Sequence, residues 1–327
     1  MTAPARPGFF VVSLDFELHW GVRDHTSISA ARDRLLGARD AVKAMLALFE
    51  RRSIHATWAT VGMLFAHDRE ELLRFVPEER PRYRHAGLSA YEELPKLGRD
   101  ERDDPFHFAG SLVDLVARTP GQELATHTFS HFYCLEEGAT AEAFAADLAA
   151  ARAIGAAHGD VVRSLVFPRN QVNPAFVPAL RAAGVKAYRV NPARFPYNAG
   201  NGDTETTARR AARLLDTYLP ITGSRVSTVP SRGEPAALVA TAFLRPYSRR
   251  LAPLDGLRLR RLVHEMRDAA RTGRTFHLWW HPHNFGRDLR ENLRLLEHLL
   301  DELDVLRRRE GMQSVTMAEA LETRNDA

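Results

Sequence analysis

This 327-residue chain is short of three things, and each shortage removes a class of protein. It has one cysteine, Cys134, so it forms no internal disulfide and is not a disulfide-stapled scaffold. It has three lysines, Lys43, Lys96 and Lys186, so arginine carries nearly all of its positive charge. The 45 Lys plus Arg against 41 Asp plus Glu leave a net charge of only +4. The arginines lie along helical stretches with Asp and Glu nearby, not gathered with aromatics on one face, which argues against a nucleic-acid partner. Finally, no run approaches the roughly 18 apolar residues that a membrane span needs. Residues 1–8 are a short Pro/Ala tail leading straight into Phe9-Phe10-Val11-Val12, too short for a signal core and without a cleavage site. The expectation is a cytoplasmic protein in a reducing compartment.

Present instead is a 45% hydrophobic chain with alternating strand and helix signals. Phe9 to Leu14 is short, β-rich and closed by acidic residues, which predicts a buried strand. Ser27 or Ser29 caps a helix to about Arg52 with Leu35, Val42, Met45, Leu46 and Phe49 on one face. Residues 54–62 give a second strand, so the chain opens with a βαβ unit and a parallel sheet. Residues 68–108, with four prolines and the run Arg99 to Asp104, read as an insertion with short helices. The alternation then resumes. Helices are expected near 108–117, 140–158, 174–183, 205–215, 256–272 and 288–309, and strands near 123–127, 162–167, 185–190, 275–281 and 314–317. With no repeat or linker, residues 9–320 read as one barrel-like α/β domain, between tails at 1–8 and 321–327.

Three constellations end strands of that sheet. Asp15-Phe16-Glu17 places two carboxylates on one face by strand periodicity, unless it is only a helix cap. His127 and His131, four apart after the strand at 123, share a face if a helical turn starts there, which is the spacing of two-histidine metal motifs. His277, Trp279, His281, His283 and Asn284 crowd the end of the strand at 275, where His277 also fits a satisfied core position. Parallel sheets place active sites at the C-terminal ends of their strands. One carboxylate and two imidazoles with open positions suit a catalytic metal, Zn²⁺ first, with Fe²⁺, Co²⁺ or Ni²⁺ able to use the same donors.

Taken in order, these segments resemble the motifs of the polysaccharide deacetylase (NodB-homology) family. Ser13-Leu14-Asp15-Phe16-Glu17 is similar to its strand ending in paired aspartates, and His127 with His131 to its second motif. Val166-Phe167-Pro168-Arg169-Asn170-Gln171-Val172-Asn173 corresponds to Arg-x-Pro-x-Gly-x-x-Asn, and Trp279-Trp280-His281 to the closing Leu-x-His. Ala56 to Gly62 is similar to the Ala-Thr-Phe-Phe-x-x-Gly strand. The resemblance spans residues 9 to about 317. It implies a distorted (β/α)7 TIM-like barrel and a metal-dependent hydrolase that removes an N-acyl group from an amino sugar in a glycan or glycan precursor, as in surface polysaccharide biosynthesis.

The resemblance further implies Asp15 as general base, Glu17, His127 and His131 as metal ligands, His281 as general acid, and the backbone N–H of Arg169 as oxyanion donor. Asp15 and Glu17 are separated by one residue where the family has adjacent aspartates, so base and ligand roles are open to exchange. Val166 stands at the position of the family's motif arginine, leaving Arg169 as the candidate partner of the base, and His283 is a second candidate acid. Arg169, Asn170, Gln171, Asn173, Trp20, Tyr133, Trp279 and His283 are candidate substrate contacts, with ordinary loop polarity and core packing as the alternative. Another metal-dependent C–N hydrolase, or a carbohydrate-binding relative without activity, would share these residues.

Overall fold

The computed structural model describes residues 6–325 except 202–203, 231–232 and 234. Strand β1 (Phe9–Phe16) is buried along its whole length. It pairs in parallel with β2 (Ala56–Thr60), β8 (Thr275–Trp280) and β9 (Gln313–Val315), which is why its sequence is a near-continuous apolar run and does not alternate. Helix α1 (Ile28–Arg51) connects β1 to β2, and Ser27 is its cap, the side chain accepting from the Ala30 N–H.

The segment after β2 is the expected insertion. It holds α2 (Arg69–Arg74) and two 3-10 turns at Ala86–Leu88 and Ala90–Lys96. The alternation then runs α3 (Gly110–Arg118), β3 (Gln122–Thr126), α4 (Ala141–Ala157), β4 (Ser164–Val166), α5 (Val177–Ala182), β5 (Ala187–Val190) and α6 (Thr207–Tyr218). Strands β6 (Ala236–Val239) and β7 (Ala242–Phe243) precede α7 (Asp255–Thr272), β8, α8 (Leu289–Glu310), β9 and α9 (Met317–Asn325). In α8, Leu295, Leu296, Leu299, Leu300, Leu303 and Leu306 bury one helical face. Its end comes at Gly311, whose φ of 69° suits glycine.

The sheet order is β6-β5-β4-β3-β2-β1-β8-β7, and every paired strand in it is parallel. Two residues separate β6 from β7 in the chain, yet the two lie at opposite ends of this order. One extended stretch therefore bonds first to β5 and then to β8, curling the sheet into the distorted TIM-like barrel that the resemblance implies. The sequence gives no signal for this switch, because Ala236 to Phe243 carries neither a turn residue nor an alternating pattern. Of the expected tails, residues 1–5 and 326–327 lie outside the described residues, while 321–325 continue α9 and are no tail. No helix among the described residues is long and apolar enough to cross a membrane.

Candidate active site

The C-terminal ends of β1, β3 and β8 meet at one point. Glu17 follows β1 directly, and Leu18 after it takes a φ of 44°, which turns the chain away and leaves the carboxyl facing inward. Glu17 Oε2 lies 3.3 Å from His127 Nε2 and 3.1 Å from His131 Nε2. Donor atoms of the three residues fall within 4.8 Å of one another, and all three residues are buried. His127 Nδ1 donates to the Val166 carbonyl at 2.8 Å, which fixes the tautomer and aims the Nε2 lone pair at Glu17. That Nε2 has no hydrogen-bond donor of its own. Burial holds His131 down to about 4, so its imidazole is neutral near pH 7. Burial opposes ionisation of Glu17, and the nearby His281 together with His131 outweighs it, keeping the carboxyl well below its ordinary range. Two imidazoles and a carboxylate, desolvated and without a full set of partners, fit a divalent metal ion of the zinc group.

His127 and His131 do not reach this point through a helical turn. Thr128 and His131 take φ values of 64° and 57°, and the carboxylate of Asp147, from α4, replaces helical acceptors by accepting from the N–H of Phe129 at 2.6 Å and of Ser130 at 3.2 Å. Asp147 is fully buried and also accepts from Tyr91 at 3.1 Å; burial raises it to about 6. It was not anticipated, although an aspartate between Phe144 and Leu148 on the buried face of α4 is a visible irregularity.

Asp15 is held by Arg189 of β5. The guanidinium donates to both oxygens at 2.7 Å and is itself wholly buried. Ser13 Oγ lies 3.0 Å from Arg189 Nη1 and 2.8 Å from His277 Nε2, and Asn170 accepts from Arg189 Nε at 3.0 Å. Burial works against the charge on Asp15, and Arg189, with His127 and His281, overrides it and lowers the pKa. Arg189 thus occupies the place expected of Arg169, which instead pairs with Asp24 and lies 4.3 Å over the Tyr133 ring. The substitution is physical: Val166 on β4 and Arg189 on β5 are register partners, so the neighbouring strand delivers the guanidinium.

His281 Nε2 stands 3.7 Å from Asp15 and 3.6 Å from Glu17, partly open to the cavity, and Asn284 approaches its Nδ1 at 3.3 Å. Asn284 thereby orients this ring. His283 Nδ1 lies 3.9 Å from Glu17 but is buried, with burial lowering it to about 3. His277 is a core residue bonded to Ser13. Asp15, Glu17, His131 and His281 open into a cavity of about 640 Å³, also lined by Arg169, Asn170, Gln171 and Trp279. Four expected substrate contacts do not line it. Trp20 is buried and donates to the His107 carbonyl, Tyr133 is covered by Arg169, Asn173 bonds Cys134 and caps Ala175, and His283 lies behind Glu17. His19 and His107 pair with each other at 2.9 Å.

No family model and no curated protein matches this chain by sequence. Its fold, however, is that of solved structures. A Mycobacterium smegmatis protein assigned as a polysaccharide deacetylase superposes with a TM-score of 0.57 at 13% identity, covering 99% of this chain and 95% of that one. A GH57-type branching enzyme from Pyrococcus horikoshii gives 0.56 at 12% identity over 96% of this chain and 70% of its own. The Puue allantoinase gives 0.53 at 11% identity over 96% and 88%. At such identities the likeness is one of fold alone.

Proposed function

We propose that the chain is a metal-dependent hydrolase that removes an N-acyl group, acetyl first, from an amino sugar. The carrying observation is the convergence of Glu17, His127 and His131 beside an arginine-locked Asp15 and a half-open His281. Glu17, His127 and His131 would hold the divalent ion, zinc or one of Fe²⁺, Co²⁺ and Ni²⁺. When bound, the ion would supply Lewis acidity toward the acyl carbonyl and lower the pKa of a water. Asp15, ionised and fixed by Arg189, takes the proton of the attacking water; a carboxylate has about four lone-pair sites, and the guanidinium occupies two. His281 gives a proton to the departing nitrogen, and Asn284 sets its ring plane. The Arg169 backbone N–H is the proposed oxyanion donor. Asn170 and Gln171 support this wall more than they reach substrate, since Asn170 holds Arg189 and Gln171 bonds Leu135 and Glu136. Trp279, stacked 4.2 Å under Arg189, offers a sugar face.

Fold does not choose the substrate, since branching enzyme and allantoinase share the fold. The site favours amide hydrolysis because it sets a base, Asp15, and an acid, His281, beside a metal ligand set. The test is elemental analysis of protein purified without chelator, followed by acetate release from a panel of N-acetylated sugars. Wild type is expected to lose one metal equivalent on His127→Ala or His131→Ala, and its acetate release with it. Metal content identical in wild type and both variants would overturn the reading. Metal lost as expected but no activity on any acylamide would move the protein to a sugar-binding relative.

A further inference from the structure

The cavity that reaches Asp15 and His281 has another wall, of opposite charge. Arg210 and Arg213 of α6, Arg258 and Arg261 of α7, and Arg225 and Arg245 from connecting segments line it. Among the described residues four carboxylates answer these six guanidinium groups: Glu205 faces Arg210 and Arg213, Asp216 and Glu265 face Arg225 and Arg261, and Asp255 faces Arg258. By that count the excess falls on Arg245 and on the Arg210–Arg213 pair, which shares the single carboxylate of Glu205. Arg245 donates from Nε to Thr217 at 3.0 Å and lies 5.9 Å from the Phe243 ring, and no described carboxylate reaches it. Burial lowers its pKa, and the neighbouring Arg213 and Arg258 add to that. Arg261 is almost wholly buried and pairs through Nη2 with Asp216 and Glu265, while its Nε and Nη1 have no acceptor among the described residues. Arginine does not shed its proton in such a place, so the charge of Arg245 and the two open donors of Arg261 call for an acceptor from outside.

We propose that this wall binds a phosphate or diphosphate ester carried by the substrate, with Arg245 and Arg261 on the anion while the acyl group lies at Glu17 and His281. An excess of two charges suits a dianionic group better than one carboxylate, and paired guanidinium donors match phosphate oxygens. The cavity, about 640 Å³, has room for a sugar with a phosphorylated substituent. The anion site deepens the hydrolase reading but stands on its own residues, so it is tested by binding and not by turnover.

Inorganic pyrophosphate, uridine diphosphate and glucuronate are titrated calorimetrically into the wild-type chain and into H127A/H131A, where chelation by the proposed metal is removed. One pyrophosphate per chain is expected in both, at least tenfold tighter than glucuronate. Arg245→Gln is expected to weaken it at least tenfold, with Arg245→Lys within about threefold of wild type and the exposed Arg250→Gln unchanged. Uridine diphosphate binding tighter than pyrophosphate assigns a nucleotide-linked sugar; equal binding assigns recognition of the phosphates alone, as on a lipid-linked one. Absent pyrophosphate binding, binding indifferent to Arg245→Gln, or glucuronate binding as tightly, overturns the proposal. Pyrophosphate bound as expected by a protein without acylamide activity would leave it standing while the hydrolase reading fails.

A different cluster carries a second inference. His67, which follows β2, Asp114 on α3 and His158 at the end of α4 also bring donor atoms within 4.8 Å of one another. Asp114 faces both rings, with Oδ2 3.8 Å from His67 Nε2 and Oδ1 3.9 Å from His158 Nδ1. Glu71 of α2 stands behind them, Oε1 at 3.0 Å from His158 Nε2 and Oε2 accepting the His67 backbone N–H at 2.8 Å. A carboxylate on one ring nitrogen leaves the other free to ligate, the arrangement that orients histidine ligands. We infer that His67, Asp114 and His158 bind a divalent ion of the zinc class, tying α2, α3 and α4 together. Bonds near 2.0–2.1 Å in a tetrahedral site place donors about 3.4 Å apart, so an ion would draw these donors, now within 4.8 Å of one another, closer together. Zinc analysis of H127A/H131A, incubated with excess zinc and then desalted, is expected to find one ion per chain, lost on adding His158→Gln. Zinc is also expected to raise the unfolding midpoint of the first variant and not of the second. A zinc-free H127A/H131A, or zinc that survives His158→Gln, refutes it.

Discussion

Replacing Arg189 by methionine strips Asp15 of its counter-charge while keeping apolar length against Trp279. The pair is among the most enclosed in the molecule: side-chain exposures are 0% and 3%, with both carboxylate oxygens engaged at 2.7 Å. Removing one partner of such a pair leaves an uncompensated buried charge and costs about 3–5 kcal/mol. Ser13 and Asn170 lose a donor as well, adding about 1 kcal/mol each if no water replaces it. Urea unfolding of Arg189→Met is therefore expected to show a loss of at least 3 kcal/mol, about half of an ordinary domain's stability at the low end. Asp15→Asn/Arg189→Met, which lacks the charge on both sides, is expected to recover at least about 2 kcal/mol of that loss in a double-mutant cycle. Arg169→Met, whose side chain is 31% exposed in its pair with Asp24, is expected to cost about 1 kcal/mol or less. Metal content is expected to stay at the wild-type level in Arg189→Met, because Arg189 touches none of Glu17, His127 and His131. A cost under about 1 kcal/mol for Arg189→Met, or additive behaviour of the two substitutions, would refute the argument that Arg189 is what keeps Asp15 ionised.

Further substitutions probe the same frame. At Gly21 a Cβ would fall 1.9 to 2.4 Å from the Glu17 carboxyl group, so Gly21→Ala is expected to weaken metal affinity at least tenfold in competition with a chromophoric chelator; unchanged affinity would show that Glu17 is free to move aside. Asp147→Ala leaves two buried N–H groups of the His127–His131 loop without an acceptor and is expected to cost about 2–4 kcal/mol, read by urea unfolding. A loss below about 1 kcal/mol would mean that water takes over. His277 is held at about 3 by burial, with the Arg189 charge adding to it, against about 6.5 in an unfolded chain. The unfolded state then binds the extra proton, so this histidine's contribution is complete above about pH 6.5 and declines by up to about 1.4 kcal/mol per unit as pH falls toward 3. His277→Gln is expected to flatten the stability profile between pH 4.5 and 6.5 by about one proton, and an unchanged slope would place the titration elsewhere.

Much of the architecture was legible because its signals are local. Strand β1 announces itself by a near-continuous apolar run, α8 by leucines at helical spacing, and Glu17, His127, His131 and His281 by their places after strands, since β-strand polarity puts loop residues at one end of a parallel sheet. The insertion at 68–108 was readable from its prolines. What failed is what depends on residues distant in the chain. The His127–His131 spacing implies a helical turn, but Asp147, sixteen residues on, supplies acceptors that let the loop take left-handed backbone instead. Tyr133, Trp20 and Asn173 have the chemistry of sugar contacts and turn out to hold the framework.

The sequence by itself determined the parallel α/β architecture and the chemistry of the donors, because periodicity and residue type are properties of short stretches. Only the tertiary structure decided which arginine meets Asp15, how β6 and β7 join the two ends of the sheet, and which arginines are left without a carboxylate. Those outcomes depend on strand register and on desolvation, and neither exists until separate segments have packed together, as when Arg189, set beside Val166 by register, meets Asp15 174 residues away in the chain.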